Sequence, residues 1–164
     1  MSTKNDSLLQ RVQSSYKQLA VAATTLNAAS DELGESISAL DAALKKLALG
    51  IPAWLEIVGN EDGYGNFWGR HIGYAKVGTK WGIALSRTSG NIGDPDHSSE
   101  ETWLFNDAPR SFRIEAIDKI PDLLDTLITQ AEKTTKKIQD KTTEAKYLAA
   151  AINEVAAQAT ARRK

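Results

Sequence analysis

The chain has 164 residues, 41% of them hydrophobic, and its 20 Lys and Arg against 21 Asp and Glu leave a formal charge of −1. That apolar content excludes a globally disordered chain, and the even charge balance excludes a general attraction to nucleic acid or anionic membranes. Cysteine is absent, so neither disulfides nor thiolate metal sites can form, which fits a protein of the reducing cytoplasm.

The opening Met-Ser-Thr-Lys-Asn-Asp-Ser runs into an amphipathic stretch rather than an unbroken apolar core, so no secretory signal is expected. No apolar run approaches the roughly 18 residues that span a bilayer. Residues 7–49 instead predict one long helix. Val12, Leu19, Leu26, Leu33, Leu40 and Leu47 form one column, and Leu9, Tyr16, Ala23, Ser30, Ile37 and Leu44 form another. Spacing that alternates three and four residues is the a/d pattern of a coiled-coil helix. Ser7 with Gln10 offers a capping box, and Gly50 with Pro52 supplies the stop. Gly34 interrupts the good helix formers at a cost of about 1 kcal/mol, which suits a close contact or a slight bend.

Residues 51–107 change character, holding most of the glycines and all four tryptophans. Strands are predicted at 54–58, 67–77 and 81–87, the last two closed into a hairpin at Gly78-Thr79-Lys80. Trp81, Ile83 and Leu85 share one face of the third strand. Residues 91–101 read as a polar loop and 102–106 as a short fourth strand. A small antiparallel sheet with one buried face is expected.

Helical rhythm returns from Asp107, a fair N-cap with Pro109 behind it. Pro121 marks a kink or a fresh start. Beyond it, Ile117, Leu124, Ala131, Ile138, Ala145, Ile152 and Ala159 form one column, with Ile120, Leu127, Thr134, Lys141, Leu148 and Val155 in the other. The fold class expected is α+β, in three segments: a long helix over 1–50, a β-sheet head over 51–107, and a helical segment over 108–164. The two helical ends are expected to fold back as an antiparallel coiled-coil-like hairpin with the sheet at its tip. One register, in which paired residue numbers sum to 164, gives the layers Leu9/Val155, Val12/Ile152, Tyr16/Leu148 and Leu26/Ile138. Alanines flank both seams, so the apolar stripe is wider than two helices need. A homodimer joining two such hairpins into a four-helix bundle is the favoured assembly.

Chemistry-bearing motifs are few. Gly63-Tyr-Gly65-Asn-Phe-Trp-Gly69 fits neither the dinucleotide fingerprint nor the P-loop and leads into a strand, so it reads as a glycine-rich turn. Asp94, Asp96 and His97, near Glu100 and Glu101, match no EF-hand spacing and read as a solvated loop rather than a metal site. No serine elbow is present, and His71 and His97 are the only histidines. No catalytic residue, metal or cofactor is expected.

Aromatic and basic groups do concentrate in the sheet. Trp68, Arg70, His71 and Tyr74, with Arg110 and Arg113 one helical turn apart just after it, are the candidate partner-binding residues. Tryptophan, tyrosine and arginine are the usual anchors of interfaces. The basic tail Arg162-Arg163-Lys164 complements a helix dipole and carries no nucleic-acid reading motif. The functional expectation is a non-enzymatic, homo-oligomeric interaction or adaptor protein whose helices self-associate while the head binds another protein. The alternative is a binding or sequestering protein for an anionic metabolite or nucleotide, held between sheet and helices by stacked rings and guanidinium groups.

Overall fold

A computed structural model describes residues 2–163. Helix α1 (Ser2–Lys46) is followed by strands β1 (Ala53–Glu61), β2 (Asn66–Val77), β3 (Lys80–Asn91) and β4 (Asp94–Leu104). A single 3-10 turn, Phe105–Asp107, leads to the short helix α2 (Arg110–Ala116). A second turn, Ile117–Lys119, runs straight into the long helix α3 (Ile120–Ala161). The fold is α+β, and its strands form an antiparallel meander in the order β1-β2-β3-β4.

Local sequence explains most of these boundaries. Ala48 (φ 48°) and Gly50 (φ 61°) both take left-handed backbone after α1, where a helix cannot continue. Gly78 (φ 62°) sits in the two-residue turn that pairs Val77 with Lys80. Pro121 opens α3 rather than kinking it, because the first turn of a helix has no use for its missing N–H.

One correction concerns residues 91–101. They form strand and turn, not a polar loop: β3 runs on to Asn91, the chain reverses at Ile92-Gly93, and β4 pairs Asp94 with Asn91 and Glu101 with Arg87. Both faces of β4 are exposed over Asp94–Glu101, so it carries no apolar alternation. Backbone pairing to β3 makes it a strand. Its proline and its charges keep this open edge from pairing with other chains.

Cross-strand partners define the core face. Ala53, Tyr74 and Ile83 lie side by side, as do Leu55, Ile72, Leu85 and Trp103. Onto this face pack Ile37 from α1, Phe112 and Ala116 from α2, and Leu123 and Leu127 from α3, with Phe105 fully buried among them. On the opposite face the Trp54 ring lies flat over its partner Gly73, where an added Cβ would stand 2.4 Å from the ring. Gly34 serves a similar close approach: the Asn106 amide donates to the Gly34 carbonyl at 3.2 Å and to Ser38 Oγ at 3.1 Å.

A single carboxylate fastens α1 to the sheet. β4 ends at Leu104, opposite Ala84, so Ile83 has no strand neighbour on that side. Its N–H donates instead to Asp41 Oδ1 at 2.6 Å. Burial pushes the Asp41 carboxyl above its ordinary value, against the lowering pull of the Ile83 N–H and of Lys45. A carboxyl raised in the folded state keeps its proton to higher pH than in the unfolded chain. Stability from this group is therefore full below the unfolded pKa and is lost as pH rises through the folded one. Asp41→Asn keeps an acceptor for Ile83 and removes that pH dependence. Asp41→Leu strands a backbone N–H and costs about 1–3 kcal/mol. Urea unfolding at pH 4 and pH 7 measures both, and equal midpoints for the leucine variant and wild type would dispose of the edge contact.

Beyond the head, the two long helices do not pack on each other as the 164-sum register requires. Leu9 and Val155, Val12 and Ile152, and Tyr16 and Leu148, its outer layers, are all 59–71% exposed. The same heptad columns are thus buried near the sheet, at Ile37 and Leu127, and bare along the arms.

Candidate functional site

The residues singled out from the sequence fall into four places. Trp68 and Arg70 lie on the helix-facing side of β2, where they pair across the sheet with Ser89 and Arg87. The Arg70 guanidinium stands 5.6 Å from the Trp68 ring and 6.0 Å from the Phe112 ring, and it forms an ion pair with Glu115 of α2. Arg87 repeats the arrangement, 5.6 Å from the Trp103 ring and 2.7 Å from Glu101. Two cross-strand arginines would repel, and each is offset by its own carboxylate and its own ring. Between them opens a cleft of about 280 Å³ lined by Trp68, Arg70, Arg87, Pro109 and Phe112.

His71 points to the other side of the sheet. Its Nε2 is 4.0 Å from Glu56 Oε2, in a cleft of about 400 Å³ that Phe67, Gly69 and Trp68 also border. Tyr74 is a core residue, 2% exposed and stacked on Trp81 with centroids 5.6 Å apart. Burial, followed by the nearby Asp41, raises its hydroxyl pKa. Arg110 and Arg113 face α1: Arg110 Nη2 donates to Asn27 Oδ1 at 3.1 Å, and Arg113 borders a groove with Asp31, Glu35 and Asn106. The six residues therefore do not converge on one site. The cluster that does form joins Trp68 and Arg70 to Arg87, Phe112, Glu101 and Glu115. Of these added members, Phe112 and Glu115 are three residues apart on α2, a spacing visible in the sequence. Glu101 depends on the β3–β4 register, which no local pattern announces.

The glycine-rich segment is a self-satisfied turn. Asp62 Oδ1 accepts the N–H groups of Tyr64 at 2.8 Å and Asn66 at 3.0 Å, while the Asn66 amide donates to Asp62 Oδ2 at 2.8 Å. These bonds, the Asn66 side chain's first, hold the Asp62 carboxyl below its ordinary value. Two of the backbone donors that a phosphate would need are already engaged. His97 Nδ1 lies 2.6 Å from Asp94 Oδ2 in the exposed β3–β4 hairpin. Among the described residues, no three His, Asp or Glu side chains converge as a metal site, and no helix is long and apolar enough to cross a membrane.

The arms present a different kind of surface. Leu8, Leu9, Val12, Tyr16 and Leu19 on α1, and Ile138, Leu148, Ile152 and Val155 on α3, are each 59–71% exposed. An apolar groove of about 300 Å³ between Leu44, Leu47 and Leu49 on one side and Leu124, Leu127 and Ile128 on the other continues this surface to the head. No protein-family model, curated protein or solved structure matches the chain.

Proposed function

We propose that the protein is a non-enzymatic, homo-oligomeric interaction protein of the cytoplasm, whose helical arms join copies together while the head engages a partner protein. The bare heptad columns of the arms carry this reading. Monomeric soluble proteins rarely expose contiguous apolar patches beyond a few hundred Å², and a helical stripe of this width is satisfied by a bundle of several helices. The coiled-coil packing legible in the sequence is then completed between chains rather than within one.

The Trp68–Arg70–Phe112 cleft supports a protein as the partner of the head. Each guanidinium in it already holds a carboxylate, so an anionic metabolite would have to displace Glu115 or Glu101. A protein surface can instead add to the exposed ring and to the free edges of paired arginines. Joining two or more heads raises the effective concentration for a multivalent target.

Two measurements test the proposal. Light scattering on the purified chain is expected to return a multiple of the monomer mass. Affinity capture from the native host is expected to retain a protein that the Trp68→Ala/Arg70→Ala variant binds about 10- to 100-fold more weakly, with the oligomer unchanged. Undiminished capture by that variant would remove the head cleft from the account.

A further inference from the structure

We infer that the head holds its partner by one uncharged apolar side chain seated in the Trp68–Arg70–Phe112 cleft, carried on non-helical backbone whose carbonyl groups accept from Arg70 and Arg87. The inference rests on the head reading proposed above and supplies the chemistry of the anchor. Size, charge balance and the kind of polar group on offer carry it.

At about 280 Å³ the cleft lies below the roughly 300–1,000 Å³ of pockets that enclose a whole drug-sized ligand. It suits one side chain of a larger partner rather than a nucleotide. Its apolar wall is already in place. Trp68 is 42% exposed while Phe112 behind it is buried, and Pro109 at the rim is exposed. A large ring left open beside apolar neighbours gains by being covered.

Charge excludes anchors of either sign. Arg70 and Arg87 line the cleft, whereas no aspartate or glutamate does. The carboxylates that hold them, Glu115 and Glu101, cancel the charge of the pair. An anionic anchor therefore gains no net attraction and approaches two carboxylates that already hold the arginines. A cationic anchor meets guanidinium groups and no lining carboxylate. Both mismatches cost affinity.

The polar groups left open are donors. Arg70 gives Nη1 to Glu115, and Arg87 gives Nη2 to Glu101. Among the described residues, the other N–H groups of these two guanidiniums have no hydrogen-bond partner. A guanidinium carries five donors and no acceptor, and the uncharged group that answers it is a peptide carbonyl. Carbonyls inside a helix are bonded within that helix, so the anchor comes on an extended strand or a loop.

Blocked single residues test this on the full chain. The isotope-labelled protein is titrated with N-acetyl-phenylalaninamide, N-acetyl-phenylalanine and N-acetyl-glycinamide up to their solubility, and the tryptophan indole N–H signals are followed by NMR. Trp68→Phe assigns the Trp68 signal. The uncharged phenylalanine probe is expected to shift it saturably, the glycine probe to leave it in place, and the carboxylate probe to bind no tighter than the amide. Arg87→Met keeps an apolar stem and removes the donors, so it weakens the amide probe about 5- to 10-fold, the size of one or two hydrogen bonds. Its urea midpoint, expected to match wild type, separates lost contact from lost fold. A Trp68 signal unmoved by the phenylalanine amide, an equal response to the glycine probe, or carboxylate binding about tenfold tighter each overturns the uncharged anchor. Undiminished amide binding by Arg87→Met overturns the carbonyl contacts. If any of these occurs while Trp68→Ala/Arg70→Ala still loses its captured protein, the anchor chemistry falls and the head reading stands; undiminished capture by that variant removes both.

Discussion

Phe105→Ala lowers the unfolding free energy of the head by about 3–5 kcal/mol, the range for deleting a fully buried phenylalanine. Phe105 is 1% exposed and belongs to the cluster that holds Ile72, Ile83 and Leu85 of the sheet against Leu123 of α3 and Phe112 of α2. Its position explains the size of the effect. The residue follows β4 directly, in the 3-10 turn that carries the chain off the sheet and into α2, so its ring is the wedge between the two layers. Alanine leaves a cavity that sheet and helices are each too constrained to fill. Folded domains have only about 5–15 kcal/mol in hand, so the variant is expected to be partly unfolded at 37 °C. Tryptophan fluorescence in urea measures it, since all four tryptophans lie on the sheet. A shift under 1 kcal/mol would contradict the packing described.

The second large effect leaves the head untouched. Leu19→Asp is expected to dissociate the oligomer, weakening self-association about 100-fold or more, which is about 3 kcal/mol. In the single chain Leu19 is 64% exposed, so a carboxylate there stays hydrated and the head's unfolding midpoint is expected to hold within about 0.5 kcal/mol of wild type. In the proposed bundle the same carboxylate would be buried in the apolar seam that Leu19 shares with its heptad columns. Helix content and head stability report folding, and light scattering reports assembly. A wild-type mass unchanged by Leu19→Asp would mean that the α1 seam does not join copies.

Those two substitutions mark the boundary between what was legible and what was not. The helix of α1, the turn at Gly78, the restart at Pro121 and the shared face of Trp81, Ile83 and Leu85 all follow from local rules: periodicity, left-handed backbone, a missing N–H. The sequence reading caught only the end of β4, at 102–104, and took its first eight residues for a loop. Asp94-Pro-Asp-His-Ser-Ser-Glu-Glu101 has no apolar alternation, because neither face of that edge is covered, and periodicity registers a strand only through the face it buries. The candidate site was half legible for a related reason. Trp68 and Arg70 were visible as residue types, but Arg87 needed the β2–β3 register, and Glu101 the β3–β4 register, to become part of the same cluster. Tyr74 went the other way, an interface type consumed by the core. A residue's chemistry is written in its identity, whereas its exposure is a property of what else arrives.

The heptad columns of α1 make the same point along a single helix. Their spacing alone established that a long amphipathic helix exists and that its stripe must be covered, because a period of seven is a local geometric fact. Ile37 and Leu9 belong to the same column, yet one is 2% exposed and the other 59%. Nothing in the pattern separates them. The four-stranded sheet is only long enough to cover the end of the helix next to it, so where the sheet stops the burial stops. The rest of the stripe remains apolar and open because no other element among the described residues covers it.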